Sequence, residues 1–147
     1  MDIAKALAVI DRLCSEGFPA EPARTDVGAA GPGFLMAELE TSEDFWEDDG
    51  TRWQETADQF VCDQDGLAER LTERWGRPQA VSLYSVFERA TRGEETAEPW
   101  VSLSGHVPDV QLWRAPGTGR WIALGVSQWD EELPFQLLAV VTDTDPP

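Results

Sequence analysis

Between Val110 and Val141 apolar side chains alternate with polar or small ones, and no other stretch of the chain is so ordered. Three strands are expected there: Val110–Arg114, Arg120–Trp129 and Pro134–Thr142. In the middle one Trp121, Ala123, Gly125, Ser127 and Trp129 share a face, and Ile122, Leu124 and Val126 share the other, because successive strand side chains point to opposite sides. The third is apolar on both sides, which places it inside a sheet and not at its rim. Ala115-Pro116-Gly117-Thr118-Gly119 joins the first two; the glycines accept positive φ and the proline presets a turn.

The period changes to three and four residues near the N-terminus. Ile3, Ala6, Leu7, Ile10, Leu13 and Cys14 fall on one face of a helix over residues 1–17, stopped by Gly17. Residues 18–33 carry three prolines and three glycines, and read as a Pro/Gly-rich loop. The body follows at 34–142. Phe34–Leu39 reads as a strand. Helical spacing returns at Trp53, Ala57 and Phe60, breaks near Cys62–Gly66, and resumes with Leu67, Leu71 and Trp75. This predicts two helices or one broken helix, with Asp63 or Asp65 capping the second part. Gly76 and Pro78 end it. Gln79–Arg89 alternates and reads as a strand, Ala90–Glu98 as a polar loop, and Trp100–Leu103 as a short strand. Gly105–Pro108 is a turn, and residues 143–147 form a polar tail expected to fray. Helices first and closely spaced strands afterwards predict a single α+β domain. Its helices pack on one face of a mainly antiparallel sheet that ends in a C-terminal β-meander, since the late connections are too short for parallel crossovers.

Charge sharpens the picture. The net charge is −17, with 28 acidic and 11 basic side chains among 147 residues. Residues 1–73 carry −13 of it and residues 74–147 carry −4. Such a surface repels nucleic acid and anionic lipid, which need clustered Lys and Arg. The expected macromolecular partner is a basic protein. No run approaches the roughly 18 apolar residues of a spanning helix, and the N-terminus lacks a basic, then apolar, signal pattern. A cytoplasmic location is expected. Cys14 and Cys62 are too few for a disulfide framework and form no CxxC motif.

Motifs for catalysis are sparse. His106 is the only histidine and sits on a turn; with no GxSxG motif near Ser104-Gly105 it does not define a triad. One histidine does not make a zinc site. Asp63-Gln64-Asp65-Gly66 resembles the centre of a calcium loop, yet its ends would be Val61 and Thr72, which cannot ligate. Gly117-Thr118-Gly119 lacks the Lys-Ser/Thr of a phosphate loop. No cofactor, metal or enzymatic activity is expected. Among 28 carboxylates the sequence selects no acid/base pair.

Aromatic residues carry more. Of seven tryptophans, Trp75, Trp100 and Trp113 read as core. Trp121 and Trp129 flank small residues on one strand face, which is either a ligand groove or the bed of a helix such as that bearing Leu67, Leu71 and Trp75. From Glu38 to Asp65 there are eleven carboxylates and one base, Arg52. Within it, Glu43, Asp44, Phe45, Trp46, Glu47, Asp48 and Asp49 combine an aromatic anchor with an acidic rim, the make-up of a hot spot for a basic partner. The alternative is that the aromatics fold back onto the core.

The run Leu71-Thr72-Glu73-Arg74-Trp75-Gly76 and the strand Trp121–Val126 resemble small acidic proteins of unknown function from high-GC actinobacteria, over about the second half of the chain. In size and charge the chain also resembles bacterial immunity proteins, which neutralise a toxin. The acidic surface from Glu38 to Asp65 leads to the expectation of a non-enzymatic interaction protein that steers and occludes a basic partner; the second resemblance implies that this partner is a toxin. The competing expectations are a role like that of small acidic secretion chaperones, and a small-molecule binder using the Trp121/Trp129 face.

Overall fold

The computed structural model describes residues 1–147. Its strands are β1 (Ala23–Arg24), β2 (Gly28–Gly31), β3 (Phe34–Thr41), β4 (Gln79–Ser82), β5 (Asp109–Ala115), β6 (Arg120–Ser127) and β7 (Gln136–Thr142). They form one sheet in the order β1-β2-β3-β7-β6-β5-β4, and every neighbouring pair is antiparallel. The helices are α1 (Ile3–Ser15), α2 (Thr51–Trp75), α3 (Tyr84–Thr91) and α4 (Trp100–Ser104). The α+β class, the antiparallel sheet and the C-terminal meander β5-β6-β7 are those expected. β7, apolar on both sides, is the central strand, and all of Leu137–Thr142 is buried.

The two long helices lie on one face. Ile10 and Leu13 of α1 and Leu67 and Leu71 of α2 pack on Leu35, Trp113, Ile122, Leu124 and Val141. The opposite face is covered as well. Leu83 and Val86 at α3, and Trp100 and Leu103 of α4, pack on Val110, Leu112, Ala123 and Val140. The helices therefore sit on both faces, not on one. The short pair was hidden because Leu83, Val86, Trp100 and Leu103 fit a strand period as readily as two turns of helix.

Other boundaries also move. The loop expected over residues 18–33 contains β1 and β2. Their sequence has no β-branched residue, but a Cβ at Gly28 would collide with the Met36 carbonyl oxygen, so glycine is what lets β2 approach β3. The helix from Thr51 to Trp75 is unbroken, and Asp63 and Asp65 lie inside it and cap nothing. Gly66 survives mid-helix where α1 crosses: its missing Cβ would sit 3.4 Å from Ile3 Cδ1. The segment read as a strand over Gln79–Arg89 is β4 followed by α3, and that over Trp100–Leu103 is α4. β6 stops at Ser127, leaving Trp129 outside the sheet.

Tryptophan N–H groups pin the periphery. Trp113 donates to the Gly76 carbonyl at 3.1 Å and Trp100 to the Asp145 carbonyl at 2.9 Å. The tail over residues 143–147 is thus tied down, helped by a 3.3 Å bond from the Asp143 amide to the Gly33 carbonyl. At the end of α1, the Arg120 guanidinium donates to the Leu13 and Cys14 carbonyls and lies over the Phe18 ring. It satisfies helix carbonyls that have no partner within the helix.

Candidate functional site

The acidic segment leaves the sheet at Thr41 and turns through residues 42–50 before α2 begins. A second loop, 128–135, joins β6 to β7 beside it. Main-chain bonds zip the two together: the Ser42 amide donates to the Phe135 carbonyl and the Phe45 amide to the Glu132 carbonyl, both at 2.9 Å. Gln128 ties the second loop to α2. Its side-chain amide donates to the Glu131 and Leu133 carbonyls, and its oxygen accepts from the Trp53 indole at 3.3 Å.

The two aromatics of the acidic segment part company. Phe45, expected on the partner-facing surface, is buried; its ring meets Phe135 edge-on at 5.7 Å, and Phe60 packs on Phe135 at 5.8 Å. Removing a large apolar surface from water outweighs display on the rim. Trp46, next in the chain, is 62% exposed. Phe45 therefore anchors the loop and Trp46 presents the indole.

The carboxylates divide in the same way. Asp48 braces the start of α2, accepting from the Arg52 amide at 3.2 Å and the Trp53 amide at 2.8 Å. Asp49 accepts from the Thr51 amide at 3.0 Å, a bond that holds its carboxyl below the usual range. Both satisfy N–H groups of the helix's first turn. Glu43 pairs with Arg52 at 2.9 Å, so the one base of the segment is engaged. Asp44 and Glu47 remain exposed with no cation against them. Glu131 and Glu132 join them from the second loop, and with Asp48 and Trp53 they line a hollow of about 380 Å³ beside Trp46. The run Asp130-Glu131-Glu132 between two strands was the signal for this second half of the patch.

Trp121 and Trp129 do not frame an open groove. Trp121 is half-buried, beneath the Arg114 guanidinium and with its N–H 3.4 Å from Asp145 Oδ1. The small residues between the indoles are roofed by the chain itself. A Cβ at Gly125 would lie 2.6 Å from Val107 Cγ1, and Ala123 is buried with Trp100 and Leu103. The cover is thus α4 and Val107, whereas Leu67, Leu71 and Trp75 belong to the opposite face. Trp129 is exposed and stacks on His106, ring centres 3.8 Å apart and 15° from parallel. His106 Nδ1 lies 2.5 Å from the buried Ser127 hydroxyl, and burial lowers the imidazole pKa. His106 sits on the turn expected for it but is packed there between Trp129 and Ser127.

The structure does single out two carboxyl groups. Glu40 on β3 faces Asp63 on α2, and burial first, then the bond to Asp63, push the Glu40 carboxyl up to about 7. The terminal amine of Met1 acts in the other direction. Glu40 also lines a hollow of about 490 Å³ under α1, with Lys5, Arg24 and Glu38. Only two carboxyls meet, and no group of three or more His, Cys, Asp or Glu side chains is placed to hold a metal ion. Cys14 is half-buried, which raises its thiol pKa, and Cys62 is exposed; neither is in a disulfide.

Compared with known proteins, the chain matches no family model, no curated protein and no solved structure. No helix is long and apolar enough to cross a membrane.

Proposed function

We propose that this protein is a non-enzymatic interaction module whose acidic end binds a basic protein. The observation that carries the reading is Trp46: an indole 62% exposed on a loop braced from beneath by Phe45 and Asp48. Holding a large apolar surface in water is unfavourable, and the bracing means that the cost is not relieved by the loop folding inward. Asp44, Glu47, Glu131 and Glu132 surround it with negative charge, and the nearest base is already paired with Glu43. An aromatic anchor inside an acidic rim suits a cationic surface: the rim steers the encounter and the indole supplies the buried contact. Carboxylates standing where phosphates would stand can also plug the cleft of a nucleic-acid-cleaving toxin, an immunity-like role consistent with the size and charge. The protein would act in the cytoplasm.

The test is affinity capture from lysate at low and high salt, with wild type, Trp46→Ala and Glu131→Lys/Glu132→Lys compared. Asp48 and Asp49 are unsuitable targets because they hold α2. One basic protein retained by wild type at low salt and lost from both variants is the expected result. Equal retention by all three proteins, or retention of nothing, would overturn the reading.

A further inference from the structure

We propose that the open edge of β4 accepts an extended, lysine- or arginine-bearing segment of another protein as an added strand. This surface is separate from the acidic end and does not depend on it. A sheet edge offers unpaired N–H and C=O groups, and proteins blunt such edges with brevity, prolines, charges or bulges. The β1 edge is only Ala23–Arg24, with an arginine on it. β4 is twice as long, and Gln79-Ala80-Val81-Ser82 contains no charge and no proline and pairs with β5 without a register shift. Its outer side carries no main-chain bond to any other part of the protein.

What flanks the edge specifies the occupant. Ala80 pairs with Gln111, and paired residues share a face, here the α2 face. Beside them lies a hollow of about 530 Å³ lined by Asp65, Glu69 and Glu73, one turn apart along α2. Asp65 and Glu69 have no cationic partner, and Glu73 reaches Arg70 only at 3.9 Å. Of the nearby bases, Arg74 is held by Asp11 at 2.6 Å and Arg77 precedes the strand. At the Ser82 end the edge opens onto a cleft of about 430 Å³, where Tyr84 and Phe87 are exposed. A four-residue strand spans about 13 Å, so one short segment reaches both places. Its main chain would pair with β4, a basic side chain would enter the carboxylate hollow, and an apolar side chain further along would rest on Tyr84 and Phe87. A second copy of this chain fits poorly, because it would bring the same three carboxylates and its own net charge of −17.

The probe is an acetylated, amidated hexapeptide alternating lysine and valine. Its controls are the same peptide with alternate amides N-methylated, and the glutamate–valine counterpart. Amide shifts across residues 79–82 report the site by NMR. The lysine peptide should bind there, and Asp65→Lys/Glu69→Lys/Glu73→Lys should weaken it by about tenfold or more while Trp46→Ala leaves it unchanged. Four results would overturn the proposal: no binding at millimolar peptide, equal affinity for the N-methylated peptide, shifts centred on the Trp46 loops, or a peptide-free dimer joined through β4.

Discussion

Glu40 Oε2 on β3 and Asp63 Oδ2 on α2 are both buried without a hydrogen-bond donor, and burial first, then the neighbouring Asp63, raises the Glu40 carboxyl to about 7. Two ionised carboxylates there would repel in a site that water reaches poorly.

Stability should therefore fall as pH rises from about 4.5 to about 7. Glu40 titrates at an ordinary 4.5 when unfolded and at about 7 when folded, so the folded protein binds the proton more tightly. The stabilisation is full below about 4.5 and is lost as pH rises through about 7. Glu40→Gln, which keeps a donor at all pH values, should raise the urea midpoint above that of wild type near about pH 8 and match it near about pH 4. Parallel midpoint curves would show that the Glu40 carboxyl is not raised.

Asp48→Ala should destabilise by about 1 kcal/mol, because it strips two first-turn amides of α2 of their acceptor. Glu47→Ala, one residue earlier and exposed, should change stability by less than about 0.5 kcal/mol. Denaturant titration of both variants separates bracing from surface charge. Equal costs would remove Asp48 from the role given to it.

Gly125→Ala should cost about 1–3 kcal/mol, since the new methyl meets Val107 Cγ1 and Val110 Cγ1 in a filled core. Val107→Ala opens space for it, so the double variant should lose less than the two single losses combined. The relief should be partial, because the Asp109 carbonyl oxygen stays 3.1 Å from the added carbon. Strict additivity would mean that Val107 is not what closes the strand face.

His106 should titrate below its ordinary 6.5, because burial under Trp129 and against Ser127 disfavours the imidazolium. Its depressed pKa stabilises the fold above 6.5 and withdraws that contribution as pH falls below it. An NMR titration of the ring protons reads the midpoint directly. A value at or above 6.5 would mean that the stack leaves the ring open to water.

The C-terminal meander was legible because Trp121–Ser127 alternates with a period of two, and the short apolar run Leu137–Val141, bounded by turn signals and rich in β-branched residues, fits a buried strand. α1 was legible for the converse reason. β2 was not, because Gly28-Ala29-Ala30-Gly31 forms a strand through close backbone approach, and an absent side chain leaves no period. α3 and α4 were misread because eight and five residues are too few to separate the two periods. The join at Asp63–Gly66 looked like a break because glycine disfavours helix locally, while Leu67, Ala68 and Leu71, buried against α1 and the sheet, carry the helix through it. The same limit applies to the candidate sites. Carboxylates 43–49 could be grouped by adjacency, but Phe45 and Trp46 could be assigned to opposite sides only by knowing that Phe135 lies beneath. The run Asp130–Glu132 is brought to the 43–49 segment, and Glu40 to Asp63, by the fold alone.

The position of β7 bears on how the chain is made. Phe34 pairs with Thr142 and Thr41 with Gln136, and β7 also supplies the only strand between β3 and β6. Before Gln136 is made, no strand joins β1–β3 to the later group β4–β6, and only α1 and α2 pack across both. Each group then shows a bare apolar edge, β3 on one side and β6 on the other. Completion of the core must await translation of β7, and closing so long a loop is slow. Newly made chains stalled short of this strand would be the form most exposed to aggregation and to proteolysis.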